Sequence, residues 1–181
     1  DVLPLIVLTN CDYIEFQFGA FPPKRVYPDR ENYPHLPHAP VVIDQRHVDF
    51  AEIGAWGMRW QDGRFTGFVD GQPVAEVRLS GKAVATTLEL VADDAELRAS
   101  EKDATRFIVR ALDQFGNVLP VFDDPVHICV SGPAWLLGPD LVAFKAGIAG
   151  FWVETTGSTG EIGVEVSSRR LGSRRLTVQV R

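Results

Sequence analysis

At 181 residues, with 45% hydrophobic and 23% charged side chains, the chain carries enough apolar material for one large core or two small ones. No run approaches the ~20 apolar residues of a membrane span, which excludes a transmembrane helix from the reading and predicts a soluble chain. A net charge of -6 argues against nucleic acid as a partner, because a polyanion needs a basic footprint.

In chain order, "LIVLTN" reads as a strand and "CDYIEFQF" as a second. In the latter, Tyr13, Glu15 and Gln17 alternate with Ile14, Phe16 and Phe18, and this period of two marks a half-buried strand. Gly19 ends the run. Six of the twelve prolines then fall between Pro22 and Pro40. Proline lacks a donor and fixes φ, so residues 20–43 are expected to form one long loop. "HVDFAEIGAW" offers a short helix turning Val48, Ala51, Ile53 or Trp56 inward, limited by Gly54 and Gly57. "RFTGFVDGQPVAEVRL" is a hairpin signal, with Asp70-Gly71 supplying a positive-φ turn between alternating strands. It closes a first module, expected over residues 1–82.

Small polar residues around "SGKAVATT" mark the boundary, and a second module is expected over 83–181. It opens with "TTLELVAD". In "RFIVRALDQFGNVLPVF", Phe107, Val109 and Ala111 face one way and Ile108, Arg110 and Leu112 the other, before a turn with Asp113 first and Gly116 fourth. "VHICVSG", "GIAGFWVETTG" and two strands around Leu171-Gly172 follow. Short strands at roughly ten-residue spacing, with almost no helical periodicity, predict an all-β chain of two immunoglobulin-like antiparallel sandwiches in tandem.

Few residues point to chemistry. Cys11 and Cys129 lie far apart without metal or redox spacing and are expected to be buried free thiols. Asp93-Asp94 and Asp123-Asp124 fall beside turns, where paired carboxylates are expected to be solvated or capping. Arg169, Arg170, Arg174 and Arg175 read as a solvated hairpin tip rather than an anion site. His35 and His38 have no third ligand nearby in sequence, so neither a metal nor another cofactor is expected. Phe21, Tyr27, Tyr33, Trp56 and Trp60 cluster around the proline loop. Their first reading is a strap in which the rings pack the loop onto the sandwich. Their second is a carbohydrate site of Tyr27, Tyr33, His35, His38, Trp56 and Trp60, with flat rings stacking on sugar C–H faces. The chain opens at Asp1 without a basic-then-apolar leader, which assigns no location and fits a piece of a longer polypeptide.

"TNCDYIEFQFG", "YPDRENYPHLPHAPVVID", "WGMRW", "GFVDGQPV" and "ALDQFGNVLP...VSGPAWLLGP" together resemble the C-terminal region of family 2 glycoside hydrolases, in particular β-galactosidase-like members. "FQFGAFPP" departs from the Asn-Gly turn that many members carry. The resemblance implies a parent enzyme that cleaves β-glycosides with two carboxylates about 5 Å apart. It places those carboxylates on a barrel that needs about 250 residues, more than this chain has. It therefore implies a non-catalytic accessory region, which braces the barrel or shapes its cleft, with the parent's catalytic domain as partner. A carbohydrate-binding module taking β-galactoside-containing glycans is the alternative reading. A cell-surface adhesin repeat, suggested by the second module's turns alone, stands behind both.

Overall fold

Alternation in β2 (Tyr13–Phe18) translates directly into packing: Ile14, Phe16 and Phe18 are buried while Tyr13, Glu15 and Gln17 keep partial access to solvent. The computed structural model describes residues 3–48, 60–100 and 102–181, and every regular element among them is a strand. The expected helix over "HVDFAEIGAW" lies outside the described residues beyond Val48. The chain divides into two compact units, residues 1–83 and 84–181.

In the first unit, β2 pairs on one side with β3 (Lys24–Val26) and on the other with β5 (Gly63–Val69), which pairs in turn with β6 (Gln72–Leu79). A two-stranded ribbon of β1 (Leu5–Val7) and β4 (Val41–Ile43) sets Leu5 opposite Ile43 and Val7 opposite Val41. One hydrophobic cluster joins ribbon and sheet: Val41 and Ile43 are fully buried in it with Phe16, Phe18 and Phe65. Phe18 meets Phe65 edge-on at 5.8 Å and Phe16 at 5.6 Å. Each such ring contributes about 1.5–3 kcal/mol by leaving water.

The β5–β6 hairpin turns on Asp70 and Gly71, with φ of 50° and 75°. Two successive positive φ values define the I′ turn, whose twist matches that of its strands. A bulge follows where the register shifts between Gly67 and Phe68.

The proline-rich stretch is not the single loop that residues 20–43 were expected to form. The proline-free triplets Lys24–Val26 and Val41–Ile43 keep their donors and become β3 and β4, at either end of it. Between them the loop closes at its base, where the Asp29 amide donates to the Pro40 carbonyl at 2.8 Å. The Asp29 carboxylate orders the interior, accepting the Asn32 amide three residues on at 3.1 Å and the Asn32 side-chain amide at 2.8 Å. Anchorage comes from Ala39, Pro40 and Val41, all buried.

The second unit is a sandwich of a five-stranded and a four-stranded sheet. The four-stranded sheet contains β7 (Thr87–Ala92), β9 (Ala104–Leu112), β11 (Ala134–Leu137) and β13 (Ile148–Thr155), ordered β11-β13-β9-β7. The five-stranded sheet uses β8 (Glu96–Leu97), β10 (Pro125–Ser131), β12 (Leu141–Ala143), β14 (Gly160–Ser168) and β15 (Gly172–Val180), ordered β12-β10-β14-β15-β8. Its pairings are antiparallel except for β8, which runs parallel to β15. Phe107, Val109 and Ala111 of β9 are fully buried between the sheets, with Phe107 stacked on Phe151 at 5.4 Å.

The cysteines differ from expectation in one respect. Cys11 is buried, but Cys129 is exposed. On β10 it is Val126 and Ile128 that turn into the core, which sends His127 and Cys129 to the opposite side.

Candidate functional site

Five of the six residues predicted to bind carbohydrate lie among the described residues. Tyr27 is 60% exposed just past β3, Trp60 is 46% exposed, His35 and His38 are exposed, and Tyr33 is half-buried. Trp56 lies outside the described residues. The exposure of Tyr27 and Trp60 shows that neither ring is buried between the loop and the sandwich, as the strap reading expected of them. The loop's own hydrogen bonds and the buried Ala39–Val41 segment help to hold it.

Tyr27 does join an aromatic group on the outer face of the first unit's sheet. Its ring lies 5.6 Å from that of Tyr13, which stacks on Phe68 at 4.9 Å and 11°. The Arg25 guanidinium sits 4.0 Å from the Tyr13 centroid and donates to Glu15 at 2.8 and 3.2 Å. Hydrogen bonding to Glu15, then to Tyr27, raises the Arg25 pKa further above its ordinary range. Both hydrogen-bonding arms of this face are thereby engaged with each other. Among the described residues, no cluster of three His, Cys, Asp or Glu side chains is placed to hold a metal.

A second aromatic face, not anticipated from the sequence, lies on the outside of the four-stranded sheet in the second unit. Trp135 and Trp152 are 63% and 48% exposed. Period-two alternation puts them there: Phe151 and Val153 are buried, so Trp152 must point outward. Leu137 of β11 stands directly opposite Trp152, whose other neighbour is Arg106 of β9, while Trp135 stands opposite Glu154. Gly150, between Ile148 and Trp152 on the same face, leaves a shallow gap. Toward β7 the face becomes polar, with Arg106 bonded to Asp93 at 3.0 Å and Arg110 to Glu89 at 2.6 Å. Indole faces beside fixed guanidinium and carboxylate groups can stack on a pyranose ring and hydrogen-bond to its hydroxyls. The signal was present in "AWLL" and "GFWVE" as tryptophans out of phase with the core residues.

The acidic pairs have more specific roles than solvated turns. Asp93 holds Arg106. The hydroxyl of buried Thr105 donates to Asp94 at 2.9 Å, and Asp124 holds Arg170 at 3.2 Å. The arginine tip is solvated, with Arg169, Arg170, Arg174 and Arg175 all exposed, and two of its members also have partners. Arg170 also lies 4.9 Å from the Phe122 centroid, and Arg174 donates to Thr87 Oγ1.

Comparison with known proteins places this geometry. Residues 88–177 match the model of the glycoside hydrolase family 2 C-terminal domain 5. The chain is 51% identical over 172 residues to a β-galactosidase from Rhizobium meliloti, covering 95% of this chain and 22% of that protein. It is 46% identical over 132 residues to a β-galactosidase from Rhizobium radiobacter, covering 73% of this chain and 96% of that sequence. Among solved structures, a β-glycosidase from Bacteroides vulgatus superposes with a TM-score of 0.69 at 15% identity, over 98% of this chain and 22% of that one. A family 2 member from Bacteroides cellulosilyticus gives 0.64 at 15% identity, over 93% and 23%. The architecture is that of the β-sandwich domains carried by glycoside hydrolases. The chain belongs to glycoside hydrolase family 2, as a C-terminal β-domain portion of its larger polypeptides. It spans about a fifth of the length of the β-galactosidases from Rhizobium meliloti and Thermoanaerobacterium thermosulfurigenes.

Proposed function

We propose that the chain serves as a non-catalytic accessory region of a β-galactosidase-like family 2 glycoside hydrolase, bracing the catalytic barrel or shaping the rim of its cleft. The observation that carries this reading is the high identity to a β-galactosidase of which the chain matches only 22%. The carboxylates Glu15, Asp93, Glu89 and Asp124, each bonded to an arginine, support it. A carboxylate engaged in such an ion pair is already committed to holding a neighbouring strand or turn. The test compares the full-length polypeptide with a version lacking these 181 residues, by thermal inactivation and by kcat/KM on β-galactosides. Bracing predicts faster inactivation of the truncated form; cleft-shaping predicts a fall in kcat/KM. If truncation produces neither change, the reading is overturned. The chain alone should hydrolyse no chromogenic β-galactoside.

Exposed aromatics favour a second reading, a carbohydrate-binding surface. The loop version rests on Tyr27, His35, His38 and Trp60, and the stronger version on Trp135 and Trp152 beside the Arg106 and Arg110 ion pairs. Tryptophan fluorescence titrated with β-galactans tests it: Trp135→Ala and Trp152→Ala should abolish a saturable response that Trp60→Ala leaves intact. No saturable response in the unaltered chain would remove this reading.

A further inference from the structure

In the first unit the sheet's apolar face is left unfinished on one side. Across the β5–β6 hairpin, Val77 stands opposite Phe65 and Leu79 opposite Gly63. Opposed residues of an antiparallel pair share a face, so Val77 and Leu79 lie on the side that buries Phe65. Yet they are 52% and 47% exposed, while Phe65 is 8% exposed. Beside them the ribbon contributes Leu8, 85% exposed, and the partly covered Leu5 and Val7. Together these residues wall an open groove of about 300 Å³ whose described lining is entirely apolar. The same strand is an edge: among the described residues β6 pairs only with β5, and all eight of its residues are exposed. Its pairing is irregular near the turn, where Pro73 lies and the register shifts, but from Ala75 to Leu79 it runs regularly. Along this stretch Glu76 and Arg78, bonded to each other at 2.7 Å, occupy the other face, so it is the apolar face of Val77 and Leu79 that is left uncovered.

We propose that the groove between β1 and β6, with the free edge of β6, is the seat of an apolar segment from elsewhere in the same family 2 polypeptide. This rests on the accessory-region reading. The occupant follows from the comparisons: 95% and 81% of this chain align with proteins about four times its length, so such a polypeptide brings its own partner surface at high effective concentration. A groove without charged lining selects an apolar segment, and an open strand edge favours one that runs extended.

Hydrogen–deuterium exchange tests the assignment by comparing the 181-residue chain with the full-length polypeptide. The outward amides of residues 75–79 should exchange at least about tenfold more slowly in the full-length protein. Val77→Asp and Leu79→Asp in the full-length polypeptide should remove that protection, whereas Leu79→Met should keep it. Equal exchange in the two proteins would overturn the proposal. So would a concentration-dependent dimer of the 181-residue chain that Val77→Asp abolishes, because the occupant would then be a second copy. If the aspartate variants behave like the unaltered protein while deletion of the 181 residues still hastens inactivation, the face is wrong and the accessory reading stands. If the deletion also has no effect, both fail.

Discussion

Asp113 Oδ1 accepts the backbone amide hydrogen of Asn117 at 2.9 Å. It takes the Phe115 amide as well, at 2.8 Å, while the Gly116 amide closes the turn onto the Asp113 carbonyl at 3.1 Å. Burial of Asp113 alone would raise its pKa, but the amides of Asn117 and Phe115 outweigh it, and the group sits below its ordinary 3.8. Asp113→Ala should lower unfolding free energy by ~1–3 kcal/mol, since it strips partners from amides that water reaches poorly. Asp113→Asn, which keeps an acceptor oxygen, should cost less. Urea midpoints of the two variants check this, and equal losses would sink the account.

Asp44 gives the fold an acid dependence whose sign is fixed. Hydrogen bonds from the Arg46 side chain and then the Arg46 amide hold its pKa at about 2, below the ordinary 3.8. The folded state therefore binds this proton less readily than the unfolded one. The stabilisation is complete above about pH 3.8 and is lost as pH falls through about 2. An NMR titration should place the Asp44 carboxyl midpoint near 2, and Arg46→Ala should move it upward. A midpoint near 3.8 in the unaltered chain would contradict the hydrogen-bond geometry.

The loop between β3 and β4 should respond to its buried base rather than to its rings. Ile43→Ala removes a fully buried side chain and is expected to cost ~2–5 kcal/mol. Trp60→Ala should stay within ~0.5 kcal/mol, and Tyr27→Ala should cost no more than about 1 kcal/mol for its ring contact with Tyr13. Thermal or urea melts rank the three. A Tyr27 effect as large as that of Ile43 would restore the aromatic strap.

Thiol chemistry separates the two cysteines. With Cys129 exposed and Cys11 buried, a disulfide-exchange reagent should label one thiol rapidly in the native chain and the second only after denaturation. Cys129→Ser should remove the fast phase. Two equivalents of fast labelling would place Cys11 at the surface.

The features legible beforehand were those encoded locally. β2 announces itself by six residues of alternation, β9 by a long β-branched and aromatic run, and the β5–β6 hairpin by Asp70-Gly71. The Asp113 turn is carried by one side chain bonding to amides two and four residues on. β3 and β4 escaped because each is three residues long and adjoins prolines, so composition outweighed pattern. β8, at two residues, has no period at all; its place is set by β15, a partner that no local window contains. The candidate site was misjudged for a related reason. Aromatic density near the prolines drew attention to Tyr27 and Trp60, whereas the exposed pair Trp135 and Trp152 comes together only because β11 and β13 are neighbours.

The pairing of β8 with β15 also imposes an order of events on a growing chain. Leu97 and Val180, opposed in that pair, both belong to the buried core. An early strand of the second unit thus waits for the last one before its sheet can close, and closing so wide a loop delays folding. Among the described residues, the strands of the first unit have all found their partners by the end of β6. On the ribosome it can fold while the second unit is still threading through the exit tunnel. A premature stop within β15 would then leave a folded first unit joined to a sandwich with an open, aggregation-prone side.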